Sequence, residues 1–208
     1  TLKELFSLKI PGIENKSEVI PNGYDDSDFK VIKPLNPAEF TISYIGTLSD
    51  SYPLSGFLDA LAGFVSEGLK VRLKFIGVVS PGQKSLILAK TVKSSVDFIA
   101  YADHKTAITY MMESSALLLI IPDHISNRSI VTGKIFEYLV SGKPVICIGP
   151  EDGDAAEIIE SSKHGMCAAY NDPVRINYIL KSFHESRSDS PIPAPAEFSR
   201  KYLTGILV

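Results

Sequence analysis

The stretch Ser115-Ala116-Leu117-Leu118-Leu119-Ile120-Ile121 decides the fold class of this chain. After its first residue it is apolar without a break, and it is too short for a helix that must bury one stripe. A strand with one wet face alternates polar and apolar side chains. A run like this one reads as a strand buried on both faces, in a parallel sheet covered by helices on either side. On its C-terminal side lie a helix-length stretch, residues 132–141, and a second apolar run, residues 144–148. Between them Gly142 is a natural helix stop.

The same alternation extends in both directions. Candidate strands occupy residues 18–21, 41–46, 71–78, 96–101, 115–121, 144–148 and 165–170. Between them, residues 54–67 place Phe57, Leu58, Leu61, Phe64 and Val65 on one helical face. Residues 81–93 open on Pro-Gly, residues 105–113 follow a candidate N-cap at Asp103, residues 154–162 start at a candidate N-cap, Asp154, and residues 173–186 complete the set. Five or six strand–helix repeats predict a doubly wound α/β fold, a parallel sheet of about six strands with helices on both faces. Ligands of such sheets bind beyond the carboxyl ends of the strands, so the informative residues are those just after each strand.

Composition agrees and narrows the function classes. The 208 residues are 45% hydrophobic and 22% charged, which excludes a disordered, collagen-like or coiled-coil chain. The formal net charge is -3 and no Lys/Arg-rich run stands out, so nucleic acid is not an expected partner. The longest apolar run, residues 116–122, is far short of the ~20 residues of a membrane span, and no stretch reads as a signal peptide. A cytoplasmic location follows as an expectation. The two cysteines, Cys147 and Cys167, sit in apolar, strand-like surroundings and read as buried reduced thiols. No metal site is predicted. The chain opens on the amphipathic TLKELFSL and closes within a helical-looking stretch, residues 197–208, with a Ser/Pro-rich surface connection at 186–195. Both ends look cut, and the expectation is a single domain, 1–208, excised from a longer protein, with 1–17 as an interdomain segment.

Several strand ends carry residues suited to an anionic ligand. Gly46-Thr47-Leu48-Ser49-Asp50 offers close backbone approach and two hydroxyls, though these residues alone favour a plain strand–helix turn. Gly77 to Gly82 is similar and favours the structural turn. His104 opens a helix and is either a surface residue or a ligand contact. The richest block is Thr132-Gly133-Lys134-Ile135-Phe136-Glu137-Tyr138-Leu139. Thr132 is a candidate N-cap, and the first-turn N–H groups with Lys134 would favour an anion. Gly133 costs about 1 kcal/mol against Ala in a helix, which close approach of a ligand would explain. Glu137, one turn on, suits the two hydroxyls of a ribose. The alternative is a surface i, i+3 pair of Lys134 and Glu137. After residues 144–148 the acids Glu151 and Asp152 read as a solvated loop.

The stretch TGKIFEYLVSGKPVICIGPEDGDAAEIIESSKHG resembles the C-terminal, donor-binding domain of GT-B glycosyltransferases, family 4 (group 1) in particular. VIPNGYDDSDF (19–29), ISYIGTL (42–48), LKFIG (73–77) and VDFIAYADH (96–104) agree in order, so the resemblance covers nearly the whole chain. It implies a Rossmann-like GT-B half that binds a nucleotide-sugar donor. A separate N-terminal domain, absent here, would hold a glycan or lipid-linked acceptor, so this chain alone would be inactive. By position, Glu137 matches the carboxylate on the ribose. Thr132, Gly133 and Lys134 match the helix start beside the diphosphate, with Lys134 the candidate catalytic residue. Gly46 and Thr47 match the glycine loop at the reacting phosphate, and Tyr101 and Ala102 lie where the backbone meets the base. Gly77 and His104 join them as donor-site candidates. No cofactor beyond the nucleotide-sugar substrate is implied. The implied role is a hexosyl transfer in surface polysaccharide or glycoconjugate synthesis, cytoplasmic or peripheral at the inner membrane face through the absent domain.

Two positions depart from the family pattern. The Glu usually found eight residues before Glu137 is Ser129, and the Arg usually following the glycine loop, with a Lys shortly after, is absent. A non-catalytic binding domain that kept the fold is therefore one alternative. A nucleotide-sugar epimerase of GT-B architecture is another.

Overall fold

The computed structural model describes residues 2–29, 37–187 and 190–207. Thr1, residues 30–36, residues 188–189 of the Ser/Pro-rich connection and Val208 lie outside the described residues. Two short helices come first, α1 (Leu2–Lys9) and α2 (Asp26–Phe29). The alternating body follows as β1 (Phe40–Ile45), α3 (Ser55–Ser66), β2 (Val71–Ile76), α4 (Pro81–Lys90), β3 (Val96–Ile99), α5 (His104–Met112) and β4 (Ala116–Ile120), then α6 (Gly133–Val140), β5 (Val145–Ile148), α7 (Asp154–Ser161), β6 (Gly165–Ala168) and α8 (Pro173–Glu185). Helix α9 (Arg200–Leu207) closes the chain.

The strands form one parallel sheet in the order β3-β2-β1-β4-β5-β6. All five residues of β4 are buried, and they alternate between two cores. Leu118 and Ile120 pack with α3, α4 and α8 through Phe57, Leu61, Phe64, Ile87, Ile176 and Ile179. Leu117 and Leu119 pack with α5, α6 and α7 through Ile108, Met111, Ile135, Leu139 and Ile159. A continuous apolar run is what a strand covered on both faces requires. The doubly wound, six-stranded expectation holds. Cys147 and Cys167 are register partners on β5 and β6, both buried and free.

The helix starts follow local chemistry. Asp103 caps α5 by accepting from the Thr106 N–H at 2.8 Å. Ser80 and Asp172 cap α4 and α8, each just before a proline at the first helical position. Gly142 stops α6 at φ +68°. Asp154 is not a cap: Gly153 takes that place, and Asp154 is the first helical residue, an acid in the positive first turn.

Residues 18–21 are not a strand. Pro21 has no N–H to give a ladder, and the chain instead runs on to meet the C-terminal segment. There the Tyr24 N–H donates to the Phe198 carbonyl at 2.9 Å and the Arg200 N–H donates to the Tyr24 carbonyl at 2.9 Å. Residues 71–78 and 96–101 also end early as strands, at Ile76 and Ile99. Past Ile76, Gly77 at φ +119° turns the chain. The helix expected over 197–208 begins at Arg200, after a 3-10 turn over Ala196–Phe198. No helix among the described residues is long and apolar enough to cross a membrane.

Candidate functional site

The sheet order places the site. From β1 the chain winds outward through β2 to β3, then returns to lay β4 on the other side of β1. The crevice outside the carboxyl ends of β1 and β4 is the switch point where doubly wound sheets bind ligands. Gly46 ends β1 on one side of it, and α6, the helix that follows β4, supplies Thr132, Gly133, Lys134 and Glu137.

Lys134 crosses from α6 to the end of β1. Its Nζ donates to the Tyr44 hydroxyl at 3.1 Å and lies 4.4 Å from the centre of the Tyr44 ring. A Cβ on Gly46 would stand 2.6 Å from Lys134 Cε, so glycine is what lets the lysine lie there. Burial pulls the Lys134 ammonium down to about 8, against a smaller upward push from the Glu137 carboxylate. The Lys134 ammonium is turned away from the surface i, i+3 pair: its direct contacts are to Tyr44, and Glu137 acts on it only as a nearby charge.

Thr132 takes the N-cap position with extended backbone, but its side chain makes no capping bond. Its Oγ1 is buried and has no hydrogen-bond partner among the described residues. The Ile135 N–H donates to the Thr132 carbonyl at 3.1 Å, and the N–H groups of the two residues before it, Gly133 and Lys134, have no intrahelical acceptor. Gly133 is exposed, and a Cβ there would meet only Asn22 Nδ2, at an ordinary 3.6 Å. Nothing among the described residues therefore requires glycine at 133.

Glu137 is half-buried, and that burial raises its carboxyl above the ordinary range. His104, Arg200 and Lys134 pull it down, while Asp28 pushes it up. His104 Nε2 is 3.1 Å from the Asp28 carboxylate. Four elements, α2, α5, α6 and α9, thus converge on one carboxylate.

The other candidates separate. Gly77 packs against backbone: a Cβ there would sit 2.5 Å from the Gly46 carbonyl oxygen. Thr47 is exposed, and its carbonyl accepts from the Tyr44 hydroxyl at 2.7 Å. Tyr101 is 86% exposed beyond β3, two strands from β1, and Ala102 packs against the second core. Glu151 and Asp152 are loop residues as expected, and Asp152 pairs with Arg128 at 3.0 Å. Tyr44, Asn22, Asp28 and Arg200 were missed from the sequence. Tyr44 alone gave a signal, a phenol inside an apolar strand that needs a partner. Among the described residues no three His, Cys, Asp or Glu side chains gather closely enough to hold a metal ion.

No protein-family model matches the sequence, and no curated protein matches it. Solved structures do match. The lipopolysaccharide outer core galactosyltransferase WaaB, in its apo form, aligns with a TM-score of 0.77 at 13% identity, over 99% of this chain and 58% of that one. Anabaena HepE in complex with UDP aligns with a TM-score of 0.71 at 16% identity, over 99% of this chain and 59% of that one. The fold is the one these GT-B glycosyltransferases share. The C-terminal domain of LpcC, a glycosyl transferase group 1 family protein from Francisella tularensis, aligns at 0.60 and 16% identity, over 88% of this chain and 97% of that domain. This chain thus spans 58% and 59% of the first two proteins and the extent of an isolated C-terminal domain in the third.

Proposed function

We propose that this chain is the donor-binding half of a glycosyltransferase, taking a nucleotide-sugar at the crevice between β1 and α6. The observation that carries the reading is Lys134. It is a half-buried ammonium held on a neutral phenol at the switch point, beside a helix start whose Thr132 Oγ1 has no partner among the described residues. A diphosphate there would meet the lysine charge, the free N–H groups of the first turn and the Thr132 hydroxyl. Glu137, one helical turn away, would accept the ribose hydroxyls. As the glycosidic bond breaks, negative charge grows on the departing nucleoside diphosphate. Lys134 and the helix start are placed to stabilise it electrostatically. That HepE is solved with UDP makes UDP the first ligand to try. Sugar transfer itself is assigned to the full-length protein, with an acceptor domain completing the cleft.

The test is a thermal-shift titration with UDP, GDP, ADP, dTDP and CMP on the wild type, Lys134→Ala and Glu137→Ala. A ligand at 100 times its Kd should add about 2.7 kcal/mol, roughly 5–10 °C for a domain of this size. One nucleotide should shift the wild type and neither variant. A nucleotide that shifts all three equally would place the site elsewhere. Ser129 and the missing Arg after Gly46 favour a second reading, a binding domain that kept the site and lost transfer. Nucleotide binding by a full-length protein that transfers no sugar would select it.

A further inference from the structure

Lys134 is charged and half-buried, yet the group its ammonium touches directly is a neutral residue, Tyr44, with the Glu137 carboxylate a smaller, more distant influence. Tyr44 lies inside β1 and is 1% exposed, with its hydroxyl at the strand's carboxyl end. That hydroxyl donates to the Thr47 carbonyl at 2.7 Å. With its hydrogen spent on the carbonyl, the oxygen turns a lone pair toward Lys134 Nζ at 3.1 Å. The ring face supports the same ammonium from 4.4 Å. Burial keeps the phenol far above its ordinary range, so it stays neutral. A carboxylate in this place would hold the lysine and also cancel its charge. A phenol holds it and leaves the charge whole, and Gly46 leaves the room the lysine stem needs.

We propose that Tyr44 is a positioning residue for Lys134: its ring face and its hydroxyl, turned by the Thr47 carbonyl, hold the ammonium at the end of β1 without neutralising it, ready for the diphosphate of a nucleotide-sugar. The diphosphate part rests on the function proposed above; the positioning part does not. It makes the Tyr44–Lys134 pair one unit, joined across β1 and α6. The same pair explains how the site keeps a full positive charge beside a Gly46 that is followed by Thr47-Leu48 and no arginine.

Tyr44→Phe keeps the ring and removes the hydroxyl, and Lys134→Met keeps the stem and removes the charge. The first readout needs no ligand: competitive acetylation of the Lys134 amine, followed by mass spectrometry from pH 6.5 to 10.5. Loss of a hydrogen bond to the charged form should lower its midpoint by about half to one pH unit in Tyr44→Phe. The second readout is UDP affinity by calorimetry in the wild type, both single variants and the double variant. At pH 7.5, Tyr44→Phe should weaken UDP about three- to tenfold, but change affinity less than twofold in the Lys134→Met background. An unchanged lysine midpoint, or equal weakening in both backgrounds, overturns the positioning role and leaves Tyr44 a core residue. If none of the nucleotides binds the wild type, the functional reading fails by itself, and the acetylation midpoint still decides the role of Tyr44.

Discussion

Lys134 sets two opposing demands on one side chain. In the fold its ammonium sits at about 8 against an ordinary 10.5, because burial disfavours the charged form. The unfolded chain therefore holds the proton more tightly, and stability rises as pH climbs from about 8 toward 10.5. At pH 7 the buried charge costs stability. Lys134→Met should raise Tm there by about 2–6 °C, corresponding to about 1–2 kcal/mol once solvent screening of a half-buried amine is allowed for. That advantage should shrink between pH 8 and 10, as melts at pH 7 and pH 9.5 would show. A Tm loss at pH 7 would mean that the contacts with Tyr44 outweigh desolvation. Gly133 gives a parallel separation of stability from binding. Gly133→Ala meets open space apart from Asn22, so it should gain up to about 1 kcal/mol of helix propensity. Its methyl group would stand where the proposed phosphate approaches, so UDP affinity should fall at least several-fold in the same preparation.

At the scale of elements, glycines divide by what faces them. Gly56 lies inside α3, where propensity alone predicts that alanine stabilises by about 1 kcal/mol. The packing predicts the opposite sign. A Cβ at Gly56 would stand 2.1 Å from the Tyr170 carbonyl oxygen and 3.2 Å from its carbon, in the backbone after β6. Backbone cannot swing aside as a long side chain can, so overpacking decides. Gly56→Ala should lose about 2–3 kcal/mol, roughly 5–10 °C in Tm. A stabilised variant would show that α3 is free to slide on β6. α6 is built with the contrary economy: Ile135, Phe136, Tyr138 and Leu139 are all buried, which anchors the helix while its first residue, Gly133, stays exposed.

At the scale of the molecule, the two flanks of the alternating body meet beside the site. Tyr24 bridges Ser199 in parallel, and the Tyr24 hydroxyl donates to the Pro195 carbonyl at 3.1 Å. Phe198 lies 5.3 Å from Phe136 between ring centres, covering the outer side of α6. This junction carries Arg200 toward Glu137 and holds Asn22 near Gly133. Phe198→Ala should cost about 1–3 kcal/mol for a half-buried ring. It should also weaken UDP binding more than Tyr101→Ala, an exposed ring beyond β3. Equal weakening by the two changes would show that the junction does not shape the site.

The periodicity of this sequence was enough for the α/β class, for six of seven candidate strands, for the Asp103 cap and for the stop at Gly142. Each of those rests on neighbours within a few residues, where pattern and capping chemistry act directly. Residues 18–21 misled because a short apolar run carries no record of whether a partner strand awaits it. Strand order, and with it the crevice between β1 and α6, was decided by tertiary structure alone. Tyr44 and Lys134 are 90 positions apart, and only the fold brings the lysine stem to where a Cβ on Gly46 would stand. The close approach of Gly77 to the Gly46 carbonyl is likewise a contact that no local pattern records. Local backbone preference is written in adjacent residues. The environment that sets a buried charge, or demands a missing Cβ, is made only when distant segments close on one another.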